Sequence, residues 1–218
     1  MERGPSVSGR RARRGPAPPG DIEQAVCEAA ERLLASERLA DLSVAQILRE
    51  AHVSRASFYF YFASKSAVLA RLAERVIGEV YAATQTWLHR AEGEAPRAAL
   101  EGAMRSALAL WRRHDAVLRA IVETWHTSPE IGDVWERLIG RFTQAAAEQI
   151  ERERAAAVAP AEGPAAHTLA AALVWMTERS LYVAISSGEP DFADDDALVG
   201  TLTDVWWRAI YAPPPASG

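Results

Sequence analysis

Apolar residues recur at intervals of three and four along most of the chain, which is the spacing of one face of an α-helix. No useful length of sequence alternates apolar and polar residues as a half-buried strand does. The pattern therefore predicts an all-α fold. About nine helices are expected, at 21–36, 43–51, 54–62, from 64 to a break at 93–96, 96–113, 116–125, 129 to a loop at 160–164, 165–186, and from 194–196 to 213.

Two short helices between 43 and 62 have the clearest predicted boundaries. Ser43 and Gln46 have the spacing of a capping box, in which each side chain bonds the other residue's backbone N–H. Ser54 occupies the same N-cap position of the second helix. Val53 and Phe58 are placed to pack against each other across that cap. Two capped helices joined by a tight turn are typical of a helix-turn-helix.

The second short helix is predicted to have an apolar and a polar face. Phe58 and Phe62 are four residues apart and predict core contacts. The opposite face carries side chains that donate to phosphate oxygens or base edges, namely Arg55, Ser57, Tyr59 and Tyr61. Lys65 is the one lysine of the chain and begins a helix, where the dipole disfavours a cation unless a phosphate lies nearby. This segment therefore predicts DNA binding.

The sequence VSRASFYFYFASKSAVL at 53–69 resembles the recognition helix and following linker of the TetR family of bacterial repressors. The resemblance implies an N-terminal three-helix DNA-binding domain at 21–65 and a C-terminal helical ligand-binding and dimerisation bundle at 66–212. The DNA contacts that it implies are Ser43, Ser54, Arg55, Ser57, Tyr59, Tyr61 and Lys65. One residue departs from the family pattern, because His52 stands where the turn usually has glycine. Histidine tolerates a positive φ better than most residues do, so the turn can still form.

Charge is divided unevenly along the chain. The formal net charge is −5, but residues 1–65 contain ten basic and eight acidic residues, against fourteen and twenty-one in 66–218. The more basic part contains the helix-turn-helix, and phosphates attract it. Residues 1–20 hold five arginines among prolines and glycines and are predicted to be a disordered arm. That arm is either a solvated tail or an electrostatic contact to DNA. Residues 213–218 are predicted to be a disordered tail.

The sequence also limits the compartment and the cofactors. A single cysteine, Cys27, excludes an intrachain disulfide, and no histidine or cysteine spacing suits a metal. Cys27 is interpreted as a buried small hydrophobe, with a redox sensor as the alternative. The chain has no signal-peptide pattern and no apolar run of the roughly 18 residues that a membrane span needs. A cytoplasmic protein without cofactor is therefore expected.

All seven tryptophans lie outside the predicted DNA-reading region, at Trp87, Trp111, Trp125, Trp135, Trp175, Trp206 and Trp207. They have two interpretations. They either fill the core and a dimer contact, or they line an apolar cavity for a small molecule.

Glu178 raises the same question. Val174, Glu178, Tyr182 and Ile185 share one helix stripe, and a carboxylate among apolar neighbours is costly unless it is paired. Glu178 forms either an intrachain salt bridge or a polar anchor in a ligand pocket.

The resemblance extends to the C-terminal half through the segments MTERSL at 176–181 and VWWRAIY at 205–211. In these segments the chain is similar to one repressor of the family, in which a long apolar tunnel holds the ligand. The positions that this likeness implies for the tunnel are Trp135, Ile139, Phe142, Val174, Thr177, Glu178, Tyr182 and Trp206. Neighbouring stripe residues are added to them as candidates, namely Met104, Ala107, Leu108, Trp111 and Leu138. Val174 and Thr177 replace amides of that repressor, so the ligand is expected to differ.

These observations predict a repressor that binds a palindromic DNA operator as a homodimer and is released by a small hydrophobic effector. Leu181, Leu198, Leu202 and Trp207, on the last two long helices, are predicted to form the dimer interface. The first alternative is a DNA-binding activator or architectural protein without ligand control. The second is a helical enzyme, although no catalytic motif supports it.

Overall fold

The computed structural model describes residues 19–90 and 93–212, and it is all-helical over these ranges. A 3₁₀ turn at Pro190–Phe192 precedes the last helix. The α-helices, numbered α1 to α10, are Pro19–Leu34, Val44–Ala51, Arg55–Tyr61, Lys65–Ala83, Gln85–Leu88, Pro96–Arg113, Asp115–Thr124, Pro129–Ala155, Ala166–Ser186 and Asp195–Tyr211. The first begins two residues before its predicted start. The rest of the predicted arm and the tail at 213–218 lie outside the described residues.

Helices α1, α2 and α3 form a small head whose core includes Val26, Ile47 and Phe58. The predicted capping box is confirmed, since the Ser43 hydroxyl accepts from Gln46 N and Gln46 Oε1 accepts from Ser43 N. The turn that follows α2 is also as predicted, because His52 has φ 55° and caps the helix in the left-handed region. Local sequence signals therefore set both ends of α2 in this three-helix head.

Helix α4 connects this head to the rest of the protein. Its 19 residues span about 28 Å at 1.5 Å per residue. One side of its apolar face packs on α1, and further along it packs on α6, α7 and α8. Ser64, at its N-cap, also donates to Glu130 at 3.1 Å. Helix α4 is therefore in contact with both the head and the C-terminal helices.

The structure corrects the predicted length of this helix, which ends at Ala83 rather than near residue 92. Two side chains compete for the carbonyl oxygen of Tyr81, since Thr84 Oγ1 and Gln85 Nε2 each donate to it at 2.9 Å. Such local bonds favour a break in a helix. Trp87 consequently belongs to the separate short helix α5, which produces a tenth helix in place of the nine expected.

The remaining helices form a bundle in which α8 packs against α9 and α4, and α10 packs against α6. Short helix α5 is attached to α8 by a buried ion pair. Arg90 Nε and Nη2 each donate to the carboxylate of Glu153 at 3.0 Å, and the side chain of Glu153 is 2% exposed. Arg152 Nη2 donates to the carbonyl oxygen of Leu88 at 2.8 Å. None of the described helices combines the length and apolar character needed to cross a bilayer.

Candidate functional site

Helix α3 presents its polar face and one phenylalanine to solvent. Tyr59 is 45% exposed and Phe60 is 80% exposed, whereas Phe58 is fully buried. The Arg55 guanidinium lies 5.4 Å from the centre of the Tyr59 ring, and Arg55 is exposed. These side chains form a continuous outward surface on the second helix of the helix-turn-helix. Phe60 was missed by the sequence analysis, although its position about 200° around the helix from Phe58 indicates the outward face.

The serine hydroxyls of the predicted DNA contacts already form local bonds. Ser43 Oγ lies 2.7 Å from Gln46 Oε1, and Ser54 Oγ lies 2.8 Å from Ser57 Oγ. Ser54 also accepts from Ser57 N at 3.0 Å. These residues hold the starts of α2 and α3, so their first role is to position the reading surface. Their contacts to DNA stay predictions.

Lys65 has an unpredicted environment. Its ammonium group donates to the carbonyl oxygens of Leu39, Ala40 and Leu42, at 2.7, 2.9 and 2.6 Å. An ammonium has three donors, so a phosphate would have to displace one of these bonds. The cation at the start of α4 is therefore compensated within the chain, by the segment that connects α1 to α2. The sequence could not indicate this, because the partners are backbone atoms more than twenty residues away.

A cavity of about 100 Å³ lies within the C-terminal bundle. Its wall combines α4 and α5 with one face of each later helix. Nearly every side chain there is apolar, and four of the seven tryptophans are among them. The lining residues are Ile77, Val80, Thr84, Trp87, Leu88, Leu100, Ala103, Met104, Ala107, Trp111, Leu118, Trp135, Ile139, Phe142, Ala146, Val174, Thr177, Glu178, Leu181 and Trp206.

The structure brings most of the predicted ligand-binding residues to this wall, with three exceptions. Leu108 and Leu138 are buried but are not in the wall, because each lies just beyond the edge of the lining stripe, about 40° around its helix from Met104 or Phe142. Tyr182 lies against the Arg179 guanidinium at 5.1 Å from its ring centre and is not in the wall. The stripe used in the prediction was therefore wider than the part of each helix that faces the cavity.

The lining residues contributed by α4, α5 and α7 were not predicted from the sequence. Ile77, Val80 and Leu118 appear as ordinary core positions on their helices. Trp87 was assigned to the long helix, and its true position follows from the break at Thr84. These lining residues differ from other buried residues only because their helices pack around the cavity.

The polar groups of the cavity wall are few. Trp206 Nε1 donates to Thr177 Oγ1 at 2.8 Å. The two carboxylate oxygens of Glu178 are buried without a hydrogen-bond partner among the described residues. Burial raises the pKa of the Glu178 carboxyl above its usual range, and Arg179 partly offsets the rise. The predicted alternative of a salt bridge is weak, because Arg179 Nε stands 3.8 Å away on a half-exposed side chain.

Three of the four residues predicted for a dimer interface are not available for one, which is a correction. Leu181, Leu198 and Leu202 are 3–4% exposed, because they face the interior of their own chain. The outward apolar positions of the last two long helices are Trp175 and Val205, which are 38% and 39% exposed. An amphipathic stripe indicates which face is apolar, but not whether another helix of the same chain covers it.

Trp207, the fourth predicted interface residue, is half-buried within its own chain. Its ring stacks on Tyr211 with centres 4.5 Å apart, and the Arg97 guanidinium lies 5.9 Å from its centre. Burial raises the pKa of the Tyr211 hydroxyl to about 12. Trp207 therefore packs at the end of α10, and its place in a dimer interface stays a prediction.

Cys27 is 5% exposed, and burial raises the pKa of its thiol to about 11. The thiol is therefore protonated at neutral pH and inaccessible, as expected of a small buried hydrophobe. Within the described residues, no three His, Cys, Asp or Glu side chains are grouped closely enough to hold a metal ion.

Both halves of the chain match known families. Residues 26–72 match the family described as Bacterial regulatory proteins, tetR family, and residues 100–212 match that described as Transcriptional regulator EthR, C-terminal domain. The HTH-type transcriptional regulator EthR of Mycolicibacterium smegmatis is 33% identical over 206 residues, which cover 94% of each chain. The protein of the same name from Mycobacterium tuberculosis is 34% identical, over 92% of this chain and 93% of that one.

Solved structures with the same fold are more distant in sequence. A putative TetR-family transcriptional regulator from Syntrophomonas wolfei has a TM-score of 0.74 at 13% identity and covers 91% of this chain and 99% of its own. A transcriptional regulator from Rhodococcus sp. RHA1 has a TM-score of 0.68 at 19% identity, over 91% of this chain and 100% of its own. At these identities the likeness supports the fold alone.

Proposed function

Because the chain belongs to the TetR family of transcriptional regulators and has an EthR-type C-terminal domain, we propose that it is a ligand-released repressor. A homodimer binds a palindromic operator through α3 of each chain. A small hydrophobic molecule in the bundle cavity then lowers its affinity for that operator. The protein acts in the cytoplasm, where the DNA is.

One observation carries this proposal: α4 joins the two candidate sites. It begins at Lys65, which is bonded to the segment between α1 and α2. Within its last two turns, Ile77 and Val80 line the cavity. His114 adds a second connection, since its ring nitrogens lie 3.0 Å from Glu31 of α1 and 3.2 Å from Glu79 of α4. A change in the cavity therefore has a short, rigid route to the head.

The size of the cavity supports a mechanical effect of the ligand. About 100 Å³ holds a single small ring, whereas drug-sized ligands occupy about 300–1,000 Å³. A longer molecule must push the wall outward, and α4 is part of that wall. The two heads of a dimer must stand about 34–36 Å apart to enter successive major grooves. A ligand that binds more tightly to a dimer with a different spacing of its heads lowers the affinity for the operator. The difference between its affinities for the two dimer states sets the size of the effect.

Binding measurements across a salt series test the DNA-reading surface. Tyr59→Phe is expected to weaken binding to all duplexes about fivefold and to leave the salt slope unchanged, because it removes one phosphate hydrogen bond but no charge. Arg55→Ala is expected to weaken operator binding about 5- to 150-fold while changing non-specific binding little.

Lys65→Met is expected mainly to lower the melting temperature, because it removes three internal bonds. Fluorescence anisotropy on operator and scrambled DNA, with calorimetry, measures all three.

Arg105→Ala is the matched control for these variants, because Arg105 is exposed and lies on α6 beside Glu101 and Asp196, in the C-terminal bundle. It should keep wild-type affinity and salt slope. Wild-type DNA binding by both Arg55→Ala and Tyr59→Phe would show that α3 is not the reading helix. An architectural DNA binder is distinguished by unchanged operator affinity across a panel of lipophilic compounds that quench tryptophan fluorescence.

A further inference from the structure

Among the described residues, Glu178 is the only carboxylate in the wall of the cavity. Its side chain is 4% exposed, and neither oxygen has a hydrogen-bond partner among the described residues. Leaving an ionised carboxylate buried without such partners costs several kcal/mol. A residue of this kind inside a cavity requires an explanation that packing does not supply.

No side chain in the described structure compensates this carboxylate well. Arg179 Nε is 3.8 Å from Glu178 Oε2, but its side chain is 53% exposed and its guanidinium lies over the Tyr182 ring at 5.1 Å. Thr177, the neighbouring polar residue in the wall, accepts from Trp206 instead. The compensating group is therefore expected on the molecule that enters the cavity.

The rest of the wall suits a cation attached to an apolar body. Trp87, Trp111, Trp135 and Trp206 surround the cavity. The faces of tryptophan rings attract cations and also pack well against apolar groups. A neutral ligand can donate at most a hydrogen bond to Glu178 and leaves its charge uncompensated, whereas an ammonium group supplies both the hydrogen bond and the opposite charge.

We propose that the cavity binds lipophilic amines, with the protonated nitrogen paired to the Glu178 carboxylate and the apolar body among the tryptophans. This inference rests on the proposed function, because it takes the cavity as the effector site. A cavity of about 100 Å³ holds a single small ring, so the chain that carries the amine must displace part of the wall.

A matched pair of probes tests the charge requirement. 2-Phenylethylamine and 2-phenylethanol have similar size and shape but differ in charge at pH 7.5. Calorimetric titration of the full chain is expected to show at least tenfold tighter binding of the amine. Glu178→Gln should reduce the ratio of the two affinities to within about twofold, because it weakens binding of the amine and leaves binding of the alcohol unchanged. Lowering the pH should weaken amine binding to the wild type, because Glu178 becomes protonated, and should have little effect on the variant.

Glu148→Gln is the control, since Glu148 is an exposed carboxylate of α8 outside the cavity. It should keep the wild-type preference for the amine. Equal binding of amine and alcohol by the wild type, no amine binding at millimolar concentration, or an amine preference retained in Glu178→Gln would overturn the inference. Operator release is measured separately by anisotropy. Glu178-dependent amine binding without release would contradict the proposed repressor mechanism but not the ligand class.

Phe60 independently supports a second inference. It is 80% exposed on the reading face of α3, and its closest ring contact is the adjacent Tyr61 at 5.0 Å between centres. An exposed phenylalanine on a DNA-reading surface gains from burial only where the groove offers an apolar group. In the major groove that group is the C5-methyl of thymine. We infer that Phe60 contacts a thymine methyl and thereby specifies a T·A pair in each half-site.

Replacement of single thymines by uracil tests this inference, because it removes the methyl group and keeps every hydrogen-bonding atom. An operator is first selected from random duplexes with the wild-type protein. At one or two thymines per half-site, uracil is expected to weaken wild-type binding about threefold to tenfold. Phe60→Ala should be insensitive at those same positions. Sensitivity at no thymine, or equal sensitivity in Phe60→Ala, would contradict the role of Phe60.

Discussion

Glu153→Ala is expected to lower the free energy of unfolding by about 3–5 kcal/mol, the usual cost of removing one partner of a buried ion pair. Glu153 accepts from Arg90 through both oxygens and from Gln149 Nε2 at 2.6 Å, and it is 2% exposed. Its removal takes both Glu153 hydrogen bonds from the Arg90 guanidinium, whose side chain is only 11% exposed and which keeps its bond to the carbonyl oxygen of Glu94. The melting temperature should fall by roughly 6–20 °C for a chain of this size. Differential scanning calorimetry and urea unfolding measure both quantities.

The exposed pair of Glu101 and Arg105 provides the control, because both side chains are about half exposed. Glu101→Ala should change stability by less than about 1 kcal/mol. The double variant Arg90→Met/Glu153→Met should recover most of the loss, since a buried pair replaced by apolar residues is often neutral. A loss below about 1 kcal/mol in Glu153→Ala would mean that the pair does not hold α5 against α8.

Val205→Arg is expected to convert the proposed dimer to a monomer and to weaken operator binding at least 100-fold. Val205 lies on α10, which packs beside α9 with its exposed Trp175. In a two-fold dimer the same patch meets itself, so each interface would receive two arginines. Like charges in an interface cost several kcal/mol, and about 2.7 kcal/mol is already a hundredfold. Sedimentation and anisotropy on the full palindrome measure the two effects.

Val158→Arg is a matched control, because Val158 is also an exposed valine, at 43%, but lies after α8. Among the described residues, the exposed large hydrophobic side chains are these two valines, Trp175 and two rings of α3. The control should remain a dimer with wild-type operator affinity. Retention of the dimer by Val205→Arg would place the interface elsewhere, and loss of the dimer by Val158→Arg would assign it to that surface.

Two predicted contacts illustrate where a linear pattern is sufficient and where it is not. The cap formed by Ser43 and Gln46 involves residues three positions apart, so their spacing in the sequence is enough to predict the contact. Lys65 contacts Leu39, Ala40 and Leu42, and nothing in those residue types indicates that their carbonyl oxygens converge on an ammonium group. Lys65 was therefore assigned to phosphate from its position at a helix start and from the family resemblance, and the structure supplies a competing role.

Buried leucines show the same limit in the C-terminal bundle. Leu181, Leu198 and Leu202 belong to apolar stripes, which a dimer interface and a chain interior share. The position of α10 against α6, and of α9 against α8, covers these stripes and leaves Trp175 and Val205 outside. That the last two long helices form the dimer interface stays a prediction. The residues proposed for that interface are now Trp175 and Val205 in place of the three leucines.

The sequence by itself determined the all-α class, the caps and turn of the reading head, and the apolar face of nearly every helix, because these depend on residues within a few positions of one another. Only the tertiary structure decided the break at Thr84, the partners of Lys65, and which buried residues surround the cavity. It also showed that Glu178 lacks a strong partner. Burial and pairing depend on distant segments, and a chain of 218 residues brings such segments together through packing that no local spacing records.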